Sequence, residues 1–471
     1  MVYRSRVSSL QARLRAHAAV PLYRSSYALM MGVAANSALG FLFWAIASRM
    51  YSTHAVGVSS AAIAALLFLT GVGVLALDGS LNRFLPRAGD SALRLVAAAT
   101  AATAVASAVA GVVFVAGVHV WAPDLVFLTS RPWVVVAAVL SVVGSCLLVL
   151  ADGALVGIRR AGWVPVKGSV YGVAKIVVLV VCVSLVPSYG ILVAWVAPSL
   201  FVLAGSAWLL GSRFVPSHGT ASRGNSEEIR AAAVARYSAG NYVAFLCNLA
   251  YRTLPPLLVI HELGATASAY FYVPWLISTS LVLLTNSLSV SLVVEGSLDP
   301  RELALQTRRA LRQFIRLVLP ISALLLVAAP YALRIFGKGY SAHGSGLLRL
   351  LALGLVPASV SIIAIGVARV QNRVGVIIAV QLGIAVVVLG LGLVLVRAIG
   401  IEGFGLSWLL AQTLAAILLS RRELRPVLKP PRSRRVRRTA RIEALEEEVD
   451  RMEREFREGL ERLGPPTRTT R

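Results

Sequence analysis

The sequence is poor in charge and poorest in acid. Only 14% of its 471 residues are charged, against about 25% in an ordinary soluble domain, and its mean hydropathy is +0.77. A soluble enzyme of this length is excluded. Against 21 acids stand 46 basic residues, for a net charge of +25, and only 4 of the bases are lysine. In a soluble chain such an excess suggests nucleic acid. Here it has to be read against a bilayer, and no nucleic-acid partner is expected. The arginine bias leans toward a high-GC bacterium. The 3 cysteines, Cys146, Cys182 and Cys247, lie inside apolar stretches with no CxxC pair and no His or Asp at ligand spacing, so they read as helix-packing residues. No GxxxxGK[ST] loop, HExxH or GxSxG motif is present, which removes a nucleotide motor, a zinc hydrolase and a nucleophile elbow. No metal, cofactor or catalytic residue is expected.

Long apolar runs are abundant. Segments near or above the roughly 20 residues that cross hydrocarbon fall at 27–48, 55–77, 95–118, 133–156, 169–187, 190–212, 237–259, 267–293, 317–335, 347–368, 375–396 and 402–420. The expectation is an all-α integral membrane protein of twelve spans. The first run is too long for a cleavable signal and no small-residue cleavage site follows it, so it should remain as a span. Basic loops stay cytoplasmic, and alternate loops differ sharply: up to residue 420 the N-terminus and even loops hold 22 Lys+Arg and the odd loops 6. That places both termini in the cytoplasm of a bacterial cytoplasmic membrane.

The organisation reads as a basic N-terminus (1–26), a first six-span lobe (27–212), a polar cytoplasmic linker (213–236), a second six-span lobe (237–420), a basic juxtamembrane segment (421–441), a short coiled coil (442–463) and a disordered end (464–471). His54-Ala55-Val56-Gly57 recurs as His261-Glu262-Leu263-Gly264, and Gly190 to Trp195 as Gly403 to Trp408, at equivalent places in the two lobes. That spacing favours a parallel six-plus-six repeat. Ten basic residues against Glu423 between Arg421 and Arg441 would attract anionic lipid. Beyond them Ile442, Leu445, Val449, Met452, Phe456 and Leu463 approximate a heptad seam. It reads either as a solvated helical tail or as a coil for homo-oligomerisation or a cytoplasmic partner.

Ionisable residues inside spans are costly enough to be functional candidates. Arg252 shares a helical face with Asn248 and Asn241, a polar stripe that faces a water-filled cavity unless Arg252 snorkels outward. Lys175 shares a face with Tyr171 and Lys167, a basic and aromatic track from the cytoplasmic side with the same alternative. Trp275, Thr279, Asn286 and Ser289 approximate one face of the eighth span. Asp78 with Arg83, and Asp152 near Arg159 and Arg160, are either interfacial ion pairs or, with Glu295, groups for gating or ion coupling. The loops on the outer side are short, with Asp124, Glu262 and Glu402 as their acids, so transport is favoured over bond chemistry. Embedded positive charge exceeds negative, which suits an anionic, phosphate-bearing substrate.

Over residues 25 to 420 the chain resembles the polysaccharide-lipid flippases (Wzx type) of the multidrug/oligosaccharidyl-lipid/polysaccharide (MOP, MATE-like) exporter superfamily. The segments that carry this are Phe41 to Met50 with His54 to Gly57, Asp78 to Arg87, Gly240 to Pro256, Glu262 to Gly264, Tyr270 to Trp275, Glu295-Gly296-Ser297, Ile335 to Tyr340 and Gly400 to Gly403. The resemblance implies two six-helix lobes around a central cavity and alternating access without ATP. It also implies a polyprenyl-pyrophosphate-linked glycan as substrate, its head-group bound by Arg252, Lys175 and Arg83. A drug/cation antiporter of the same superfamily, or a scaffold recruiting glycan-synthesis enzymes through the tail, are the alternatives.

Overall fold

The computed structural model describes residues 21–215, 231–298 and 303–428. Residues 1–20 and most of the expected linker lie outside these, as do Lys429 onward and the expected coiled coil. Among the described residues every regular element is helical, as expected where backbone groups have no water to bond. In chain order the main helices are α1 (Pro21–Met50), α2 (Thr53–Val74), α3 (Leu77–Phe84), α4 (Ala92–Ala116), α5 (Pro132–Gly157), α6 (Trp163–Leu185) and α7 (Gly190–Leu209). They continue as α8 (Ala231–Thr253), α9 (Pro255–Leu298), α10 (Leu303–Arg334), α11 (Lys338–Val370), α12 (Val374–Ile399, through one π turn) and α13 (Glu402–Leu419).

Ten described segments are long and apolar enough to cross a membrane. They differ from the expected twelve at two places. One segment, Tyr242–Val282, runs through both expected spans seven and eight, and α1 is not among the ten. The chain reverses inside that segment at Gly264, whose φ of 80° and ψ of 176° leave helical space; a side chain is strained at this φ. The basic connection expected over 294–316 is helical from Leu303. Buried Leu303, Thr307, Ala310, Phe314 and Val318 recur every three or four residues, with Arg308, Arg309, Arg312 and Arg316 between them. Average hydropathy conceals this amphipathic turn-by-turn pattern.

Helix partners repeat between the halves. In the first, α2 packs on α4 and α5, α5 on α4 and α7, and α6 on α1 and α7. In the second, α9 packs on α10 and α11, α11 on α10 and α13, and α12 on α8 and α13. The central helices α2 and α9 then meet each other across the lobe boundary.

Prolines and breaks are compensated individually. Pro330 has no N–H for the carbonyl of Leu326, and Arg349 Nε donates to that oxygen at 3.1 Å. Just past Gly71 and Gly73 at the end of α2, the non-glycine residues Leu75 and Ala76 adopt φ of 55° and 54°, a conformation costing about 1–2 kcal/mol per residue. The break exposes Val72 O, which accepts the Tyr242 hydroxyl at 2.6 Å.

The lobes touch mainly on the side away from the basic loops. Phe43, Trp44, Val56 and Ile63 of the first lobe share one buried cluster with Tyr272, Leu333, Phe336 and Tyr340 of the second. Arg49 donates to Ile335 O at 2.7 Å and Arg334 O at 3.2 Å. Burial pushes the Tyr51 hydroxyl up to about 12, so it remains a donor and holds Leu179 O at 2.7 Å. On the basic side the lobes meet through Ser80 Oγ and Ser238 Oγ at 2.7 Å.

The one acid at the start of the basic juxtamembrane segment is fully buried. Glu423 pairs with Arg373 at 3.0 Å and Arg422 at 3.6 Å, tying the end of α13 to the α11–α12 turn. Removing one partner leaves a buried carboxylate undercompensated, so Arg373→Ala should cost about 2 kcal/mol. Heat denaturation in detergent, compared with Arg421→Ala, checks this; equal midpoints would show that Arg422 suffices.

Candidate functional site

Between the lobes lies a cavity of about 1080 Å³. Its walls come from α2, α3, α5, α8, α9, α11, α12 and α13, and it reaches the basic side at Asp78, Arg369 and Asn372. Six of the residues singled out from sequence line it: Arg252, Asn248, Trp275, Thr279, Ser289 and Asp78. Local geometry explains the first three. Asn248 and Arg252 are one turn apart on α8, and Trp275 Nε1 on α9 donates to Arg252 O at 2.8 Å. Because the chain bends back at Gly264, this bond sets Arg252 about three turns from the reversal. Arg252 lines the cavity.

Several polar residues on the wall were not anticipated. Gln381 of α12 and Gln412 of α13 are buried on the wall, and Asn248 Nδ2 donates to Tyr251 Oη at 2.8 Å and Gln381 Oε1 at 3.4 Å. Arg369, at the end of α11, adds a second guanidinium. Glutamine in an otherwise apolar run was the signal available for two of them.

Other candidates are placed elsewhere. Lys175 is not on the cavity wall. Its ammonium is buried in the first lobe among three rings, 4.4 Å from Trp195, 5.0 Å from Phe43 and 5.3 Å from Tyr171, and Tyr171 is held by its hydroxyl to Trp195 O at 2.9 Å. Asp152 pairs not with Arg159 or Arg160 but with Lys167, Nζ to Oδ1 2.6 Å. Arg159 takes a left-handed backbone at φ 61°, and Arg160 covers the Phe214 ring at 5.4 Å. Arg83 stands on the exposed face of α3 over the Phe84 ring at 5.7 Å. The side chains of Asn241, Asn286 and Glu295 lie outside the described residues.

Two lobes, each led by a central helix, enclosing a cavity open to one side, can be compared directly with solved structures. The chain is similar to an inward-facing multidrug-resistance MATE family transporter of the MOP superfamily, with 16% identity, 81% of this chain and 94% of that chain covered, and TM-score 0.57. It is also similar to the lipid II flippase MurJ in an inward closed conformation, with 11% identity, 83% and 86% covered, and TM-score 0.60. The chain shares its fold with these transporters. An outward-facing MATE transporter of this superfamily superposes at TM-score 0.54, with 13% identity over 86% of this chain and 95% of that chain. Neither a protein-family model nor a curated protein sequence matches the chain. Two guanidiniums and one carboxylate set the charge of the cavity. Arg252 and Arg369 face it with Asp78, while Asp152, Glu262 and Glu423 are each paired away from it with Lys167, Arg397 and Arg373.

Proposed function

We propose that the chain is a flippase that carries an amphiphile with an anionic head, of the polyprenyl-pyrophosphate-linked glycan class, across the cytoplasmic membrane by alternating access. One observation carries the reading: a cavity open on the basic side holds two arginines with no carboxylate paired to either among the described residues. A guanidinium deep in hydrocarbon is costly, and a diphosphate repays that cost with charge-assisted bonds. Arg252 and Arg369 hold the head-group, Asn248, Gln381 and Gln412 take neutral polar groups beside it, and Asp78 serves gating or ion coupling. The basic side is the cytoplasmic face, both termini lie there, and the segment from Arg421 rests on anionic lipid. The tail beyond it serves self-association or a cytoplasmic partner.

Arg252→Ala should weaken binding of a polyprenyl diphosphate to the reconstituted protein at least tenfold and abolish surface-glycan export at unchanged protein abundance. Arg252→Lys should fall between. Asp78 on the wall is what favours a second reading, a cation antiporter. Unchanged diphosphate binding in Arg252→Ala, together with loss of a cationic dye in Asp78→Asn, would decide for it.

A further inference from the structure

We infer a second site, for a hydrocarbon chain, on the lipid side of the α2–α8 wall; it rests on the head-group reading above and adds where the rest of the amphiphile lies. A groove of about 700 Å³ runs between α2, α4 and the start of α9. All its lining residues are apolar, and the indole N–H of the one tryptophan, Trp121, is already spent on Phe114 O at 3.2 Å.

The groove and the cationic cavity lie back to back. Ala64, Leu67, Thr70 and Val74 of α2 face the cavity, and Ala65, Phe68, Leu69 and Val72 of the same helix face the groove. The linings of the two compartments come within one residue of each other at the two breaks in this wall. At the first, Leu75 lines the groove and Ala76 the cavity; at the second, Leu254 lines the groove while Thr253 and Pro256 line the cavity. Arg252 is two residues from Leu254. Between the breaks the wall is closed by Leu249, packed directly over Gly71.

The two compartments match the two ends of one molecule, a charged head and an apolar chain. An ordinary acyl chain gains little in such a groove, because leaving lipid for protein yields no hydrophobic driving force. A chain tethered to a head already bound next door arrives at a high effective concentration. The groove is therefore assigned to the chain of the transported amphiphile and not to bulk lipid.

The test compares decaprenyl diphosphate with dimethylallyl diphosphate on the full-length protein in nanodiscs. Ala106→Phe with Ala110→Phe, which fills the groove from α4, should weaken the long-chain probe about tenfold and leave the short one unchanged. Equal affinity for the long-chain probe in the folded variant, or equal weakening of both probes, would overturn the assignment. Arg252→Ala is the control on the head-group reading and should weaken both probes; if it weakens neither, that reading fails, and the chain-length comparison still decides the groove. A decaprenyl probe with a diazirine in its chain should label Val109 or Val113, protected by unlabelled decaprenyl diphosphate. Protection by phosphatidylcholine alone would assign the groove to bulk lipid.

Discussion

Gly57→Leu is expected to hold the lobes apart on the side away from the basic loops and to stop transport. Gly57 opens the second turn of α2, and a Cβ there would collide with the carbonyl oxygen of Ala265, just past the reversal of α9. That oxygen belongs to backbone and cannot rotate aside. Close approach of this kind substitutes for a hydrophobic driving force inside a bilayer, so losing it acts directly on lobe contact. Overpacking costs about 1–3 kcal/mol, which moves an equilibrium between closed and separated states by about fivefold to roughly 150-fold. Spin labels at Met50 and Ile335, exposed on α1 and beyond α10 beside the Arg49 bond, should report a longer distance, with Cys146, Cys182 and Cys247 first replaced by serine. A folded Gly57→Leu protein with the original distance would show that this contact is not what keeps the side shut.

The contrast between Gly57 and its neighbours shows what a sequence discloses here. The apolar runs marked the helices because length and composition are local properties. The pair Asn248 and Arg252 was legible as one face because four residues make one turn. The α2 break was not, since Leu75 and Ala76 carry no glycine or proline and owe their conformation to surrounding contacts, among them Tyr242 from the other lobe. Asp152 illustrates the same limit. Its sequence neighbours Arg159 and Arg160 suggested the pairing, but α6 returns Lys167 alongside α5, with Nζ also donating to Leu148 O at 2.8 Å. Charge near in sequence and charge near in space differ wherever a tight turn intervenes. Arg369 reads in sequence as one more basic loop residue, and only the arrangement of the surrounding helices turns it toward the cavity.

Lys175 carries the second large effect, and the sign of the substituted charge decides it. The side chain is 6% exposed, and no carboxylate pairs with it among the described residues. Its partners are ring faces, which carry partial negative charge and attract a desolvated cation by about 2 kcal/mol or more. Lys175→Glu would bury an anion against those same faces, uncompensated, at a cost of several kcal/mol, so little folded protein should reach the membrane. Lys175→Met keeps the length, gives up the ring attraction and also escapes the desolvation of an ammonium, so it should cost only about 1 kcal/mol. Its diphosphate affinity should equal the parent's, because the ammonium is outside the cavity. What should change is the shut side. Trp195, the nearest ring, is 6.4 Å from Trp44, and Trp44 is 4.5 Å from Tyr272 on the cavity wall, so a loosened box is felt where the lobes meet. Lys175 is thus a positioning residue, and the Met50–Ile335 label pair should broaden in Lys175→Met with no loss of binding. Weakened diphosphate binding with an unchanged label distance would instead put the ammonium on the path of the substrate.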